Sequence, residues 1–193
     1  MAHHRNHLRR LEPERYRGHA YVHWTMTIEG RRTGWLQPLF LYKFRELLTH
    51  TLFRYGLGCP IYCLMPDHMH LLWMGIDERS DQLKAIRHFR KHVNQSLGRI
   101  GFRLQHQCYD RVLREDEKME ANFTNLIEYI ARNPERSGLI EEDAFASYRY
   151  SGCLLPGYPD FRLWEDQHWE RYWRAHSFLR KNGLVRTTPA DLT

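Results

Sequence analysis

With 193 residues and 23.5 kDa, the chain has room for one domain with extensions, because a domain of ~150 residues already buries about 70% of its unfolded surface. A composition of 42% hydrophobic, 27% charged and 13% aromatic residues excludes wholesale disorder. No stretch reaches the length of a membrane-spanning helix, and the first nineteen residues carry five Arg, four His and two Glu without the apolar segment of a secretory signal, so no membrane is expected and the expected location is cytoplasmic.

Cys59, Cys63, Cys108 and Cys153 form neither a CxxC pair nor a dense framework, which suits a reducing compartment and small buried hydrophobes. The net charge is +6, and 24 of the 29 cations are Arg, whose planar fork of donors matches phosphate oxygens. A polyanionic partner such as nucleic acid follows from that balance.

In chain order, residues 1–18 read as a flexible basic arm. Residues 19–29 then alternate Tyr21, His23, Thr25 and Thr27 with Val22, Trp24, Met26 and Ile28, which predicts a strand with one apolar face. Leu39, Tyr42, Phe44, Leu47, Leu48, Leu52 and Phe53 recur at helical spacing until Gly56 and Gly58. Residues 59–64 and 71–75 read as two strands of an antiparallel hairpin, with the MPDH turn between them. Ser80 and Asp81 start a helix whose stripe is Leu83, Ile86, Phe89, Val93 and Leu97, closed by Gly98. Residues 106–114 suit a fourth strand. A further helix with Phe123, Leu126, Ile127 and Ile130 inward ends or kinks at Asn133, ahead of Pro134.

Strand, helix, strand, strand, helix, strand, helix predicts an α+β fold of ferredoxin-like type, an antiparallel sheet with helices on one face. Residues 19–147 form the expected domain. Residues 148–193 read as a C-terminal extension packed on it, in which Trp169, Tyr172, Trp173 and His176 fall on one helical face. That face suits a helix docked on the core or, alternatively, an aromatic platform for bases.

His68 and His70 stand two apart on a strand, so both imidazoles project from one face while Met69 enters the opposite layer. Two convergent imidazoles are half a metal site. Tyr129 and Asn133, four apart, stack on one face of the late helix, at the margin of its apolar stripe. A tyrosine there is either an amphipathic residue with its ring packed or a nucleophile beside a metal.

Residues 65–73 (MPDHMHLLW), 107–116 (QCYDRVLRED), 129–140 (YIARNPERSGLI) and 147–152 (SYRYSG) together resemble the single-tyrosine HUH transposases, and within them the REP-associated tyrosine transposases. The likeness runs from about residue 19 to 152. It implies that His68 and His70 are metal ligands, that Asn133 supplies a third, amide-bearing ligand, and that Tyr129 is the nucleophile. Asp67 stands where Asn is commonest in that family. The implied reaction cleaves and rejoins single-stranded DNA at hairpins through a 5′-phosphotyrosine, leaving a free 3′-hydroxyl. A mixed nitrogen and oxygen site with bound phosphate suits Mg²⁺ or Mn²⁺.

DNA contacts are expected from Lys84, Arg87, Lys91, Arg132 and Arg136, with Tyr148, Tyr150, Trp169 and Trp173 stacking on bases. The expected partner is a single-stranded DNA hairpin, and the chain is a monomer or homodimer. Alternatives are an insertion-sequence transposase that moves its own element, a non-catalytic nucleic-acid-binding ferredoxin-like module and, less favoured, a metal-dependent hydrolase.

Overall fold

The structure, a computed structural model, describes residues 10–118, 120–159 and 161–183. Five antiparallel strands form its sheet: β1 (Tyr21–Thr27), β2 (Leu57–Leu64), β3 (His68–Gly75), β4 (Tyr109–Val112) and β5 (Ser151–Leu154). They stand in the order β4-β1-β3-β2-β5, so the first four reproduce the ferredoxin-like arrangement and β5 adds an edge beside β2. The helices are α1 (Pro38–Tyr55), α2 (Gln82–Gly98), α3 (Glu120–Ala131), the single turn α4 (Asn133–Arg136) and α5 (His168–Asn182).

Local chemistry sets the boundaries of these elements. Pro38 opens α1, and Gly56, at φ 65°, closes it in the left-handed conformation that glycine adopts without a side-chain penalty. At α2 the Asp81 side chain accepts from the Lys84 N–H, capping the first turn where the sequence pattern begins. Arg132 interrupts the late helix, and Pro134 occupies the first turn of α4, where its missing N–H costs nothing.

The α+β class and the antiparallel sheet are as expected, but the helices cover both faces rather than one. Val22, Trp24, Met26, Met69, Leu71 and Trp73 pack with Phe44, Leu48, Ile86 and Phe89 of α1 and α2. On the other face Ile61, Cys63, Leu72 and Met74 pack with Phe123, Ile127 and Ile130 of α3, joined by Trp169 and Trp173 of α5. The physical reason lies in β2 and β3, which are buried at nearly every position. Strands apolar on both sides need a helical layer on both sides. Within α1 the stripe narrows to Phe40, Phe44, Leu48, Thr51 and Leu52, while Leu39, Tyr42 and Phe53 face outward.

The two ends of the chain also differ from the reading above. Pro13–Tyr16 is a 3-10 turn in which Tyr16 is fully buried and donates to Asp110, which also accepts from Arg10 Nε at 2.9 Å. The described part of the expected flexible arm is therefore held against β4 by a shared carboxylate; residues 1–9 lie outside the described residues. At the other end β5 pairs with β2, Tyr62 opposite Gly152, so the extension supplies a strand of the sheet as well as a packed helix. Among the described residues no helix is long and apolar enough to cross a membrane.

Two predictions follow from this packing. A Cβ at Gly75 would overlap the Gly18 carbonyl, where the N-terminal segment crosses the end of β3, so Gly75→Ala should lower stability by roughly 3 kcal/mol or more in denaturant titrations. On α5, burial, followed by Arg180 and His19, lowers the pKa of His176 from 6.5 to about 4. The unfolded chain then binds the proton first, so stability falls as the pH drops from about 6.5 towards 4. His176→Leu should make that acid limb shallower by about 1.4 kcal/mol per pH unit.

Candidate functional site

Antiparallel pairing of β1 with β3 sets Thr25 opposite His70 and Thr27 opposite His68. Alternation along both strands then puts His23, Thr25, His68 and His70 on the face that α3 covers, while Trp24, Met69 and Trp73 enter the other core. Most of that face is apolar; toward the β2–β3 turn the side chains become imidazole and hydroxyl.

The two HxH rings meet. His68 Nε2 and His70 Nε2 lie 3.0 Å apart. Each ring is anchored by its other nitrogen, His68 Nδ1 at 2.6 Å from Asp67 Oδ1, and His70 Nδ1 at 3.1 Å from His23 Nε2 and 3.2 Å from Thr25 Oγ1. Asp67 is steadied in turn by Arg31, whose Nη1 donates to Oδ2 at 2.8 Å. Protons on both Nδ1 atoms leave two Nε2 lone pairs facing one point, the tautomer that metal-binding histidines adopt when a carboxylate or other acceptor holds the distal nitrogen. Adjacent ligand atoms of an octahedral ion with bonds of ~2.1 Å also lie about 3.0 Å apart, so the pair fits a small divalent cation.

The electrostatics favour the neutral forms of His70 and His23. Burial, reinforced by the positive fields of His23, His68 and Arg136, lowers the pKa of His70 to about 3. Burial and then Arg111 lower that of His23 to about 4. Neutral imidazole is the ligating form. Asp67 is held below the usual carboxylate range: burial alone would raise it, and hydrogen bonds from His68 and Arg31 outweigh that.

Tyr129 is 53% exposed on α3 and lines a cleft of about 410 Å³ with Arg111, Arg114, Asn122 and Asn125. The Arg136 guanidinium lies 4.2 Å from its ring centroid and donates to the Tyr129 carbonyl. The same guanidinium adds, after burial, His23 and His68, to the lowering of the His70 pKa. Asn133 Nδ2 donates to Tyr129 O at 3.2 Å and to Ile130 O at 2.9 Å, closing the end of α3. Its Oδ1 has no partner among the described residues, and no group of three or more His, Cys, Asp or Glu able to hold a metal occurs among them.

The remaining expected contact residues separate. Arg132 is consumed by Glu128 at 2.8 Å and by Glu135 and Asp143 at 2.9 Å, with its guanidinium over Phe145, so it ties α3 to the following loop rather than facing solvent as a free cation. Lys84, Arg87 and Lys91 lie on α2, across the sheet from the imidazoles, and Lys84 pairs with Asp81. Tyr148 is half-buried and donates to Leu64 O at 2.8 Å, while Tyr150 packs on the opposite core. Trp169 and Trp173 are packed against α3 and the sheet, Trp173 at 5.2 Å from Phe123, so α5 docks by its aromatic face and that face is no open platform. His23, Thr25, Arg31 and Arg111 escape the sequence reading. For His23, Thr25 and Arg111 the one signal is alternation on a strand, which does not say what lies opposite, and Arg31 sits in the 3-10 turn after β1, where no pattern marks it.

No protein-family model matches the chain, and no curated protein matches it. Among solved structures, a REP-associated tyrosine transposase bound to a REP hairpin is similar with a TM-score of 0.62 and 17% sequence identity, covering 76% of this chain and 81% of that one. The likeness is one of fold, an α+β architecture on an open antiparallel sheet.

Removing the guanidinium that three carboxylates share leaves like charges facing one another. Arg132→Ala should therefore lower Tm, and Arg132→Lys should recover part of the loss in the same thermal scan.

Proposed function

We propose that this chain is a metal-dependent transposase that cleaves and rejoins single-stranded DNA at hairpin sequences, with Tyr129 as nucleophile. The observation that carries the reading is the pair of facing Nε2 atoms at 3.0 Å, each braced through Nδ1, on the sheet face beneath the helix that bears Tyr129. The fold likeness supports it, since the similar structure is that of a transposase holding a DNA hairpin.

His68 and His70 would hold Mg²⁺ or Mn²⁺, with Asn133 Oδ1 as the amide donor left over when Nδ2 closes α3. Such an ion, when bound, supplies positive charge to a non-bridging phosphate oxygen. Tyr129 Oη forms the new bond to phosphorus as the bond to the 3′ oxygen breaks. The phenolic proton leaves Tyr129, and the departing 3′ oxygen acquires one to become a hydroxyl. Arg136, stacked on the phenol ring, places a fixed cation beside the negative charge that develops there. The bond energy is kept in the 5′-phosphotyrosine, so the reverse attack by a 3′-hydroxyl rejoins the strand without a nucleotide cofactor.

The test is covalent capture. Wild-type chain incubated with Mn²⁺ and a 5′-flanked, labelled hairpin oligonucleotide should give an adduct stable on a denaturing gel. Tyr129→Phe should abolish it, and undiminished adduct in that variant would remove the nucleophile. Binding without any adduct in the wild type would favour the non-catalytic module. Asp67→Ala, which unbraces His68, should weaken apparent Mn²⁺ affinity by about 10–100-fold in a metal titration.

A further inference from the structure

A second cleft, of about 380 Å³, lies between α2 and the segment that leads into β4, and three guanidinium groups converge on it: Arg10, Arg87 and Arg90. None of its lining residues is a carboxylate. Elsewhere in the molecule Arg31, Arg79, Arg103, Arg111, Arg114, Arg132 and Arg174 each pair with Asp or Glu. Arg10 pairs with Asp110 through Nε. Arg87 donates through Nε to the Leu83 carbonyl at 3.0 Å, and neither it nor Arg90 has a carboxylate partner among the described residues.

The cleft is also built. Arg90 Nη2 donates to Gln105 O at 2.6 Å and His106 O at 2.9 Å, which locks its guanidinium plane, while Nη1 is buried without a partner among the described residues. A guanidinium plane held in this way is a pre-organised fork for an anion that enters the cleft. Lys91 stands four residues after Arg87 on the same helical face and extends the positive track along α2, while Lys84, three residues before it, is paired with Asp81.

Position identifies the ligand. The edge strand β4 separates this cleft from the one at Tyr129: residues 106–108 enter the first and Arg111 and Arg114 the second. Resting on the strand-transfer reading above, we infer that the Arg10, Arg87 and Arg90 cleft binds backbone phosphates of the hairpin's paired stem, while the unpaired flank lies on the imidazole face. A stem is stiff on this length scale, so it passes beside the molecule and presents its phosphates to the face away from the reacting strand.

The experiment measures equilibrium binding by the full chain in EDTA, using a labelled hairpin oligonucleotide and, separately, its unpaired flank, from 50 to 300 mM salt. Arg87→Gln should weaken hairpin binding about tenfold at 0.1 M salt and reduce the slope of log K against log salt by about 0.9, the release of one counterion contact. Arg87→Lys, which keeps the charge, should restore most of that slope. Binding of the flank alone should change less than twofold; equal loss on both probes would assign the cleft to unpaired strand and overturn the stem assignment. Unchanged affinity and slope in a variant with wild-type Tm would overturn the site altogether, as would a wild-type chain that ignores the hairpin. Wild-type protein with Arg87-dependent stem binding but no covalent adduct keeps this cleft and removes strand transfer; adduct formation with Arg87-independent binding does the reverse.

Discussion

The register of β1 against β3 is the constraint on which the rest of the structure depends. Thr25 faces His70 and Thr27 faces His68 across the ladder, and alternation sends Trp24, Met26, Met69 and Trp73 to the other side. A slip of one residue would drive both imidazoles into the core under α1 and α2 and move indole rings to the face beneath α3 in their place. The two differently composed cores disfavour that slip, because it would set polar rings among the apolar side chains beneath α1 and α2. The precision of the histidine pair is thus a by-product of hydrophobic burial on two sides of a central strand.

Around the pair, charge is placed with the same economy. Burial favours the neutral form of His70, the form able to ligate, and Asp67 with Arg31 holds one ring of the pair while His23 and Thr25 hold the other. Arg136 stacks on the phenol ring and donates to the Tyr129 carbonyl, whereas Arg132, four residues earlier, is neutralised by three carboxylates and ties α3 to the following loop. Two arginines of one short segment therefore have opposite roles, and only their partners distinguish them. In the cleft beside α2 the partners differ again: Arg10 is matched by Asp110, whereas Arg87 and Arg90 donate to backbone carbonyls.

What the chain alone determined was the part governed by neighbours in sequence. The Asp81 cap and the stripe from Leu83 to Leu97 define α2, Gly56 ends α1, the MPDH turn joins β2 to β3, and two residues of spacing put His68 and His70 on one face, because capping, turn geometry and strand alternation act over a few residues. Tertiary structure alone decided what depends on distant partners: helices on both faces, β5 from a turn-rich stretch, the docking of Tyr16 on Asp110, His23 behind His70 from 47 residues away, and Arg132 spent on Asp143. A side chain's type and local spacing say which way it points from its own strand or helix. Only the packed fold says what waits there, and for a cation or an imidazole that neighbour decides whether it binds, braces or is merely neutralised.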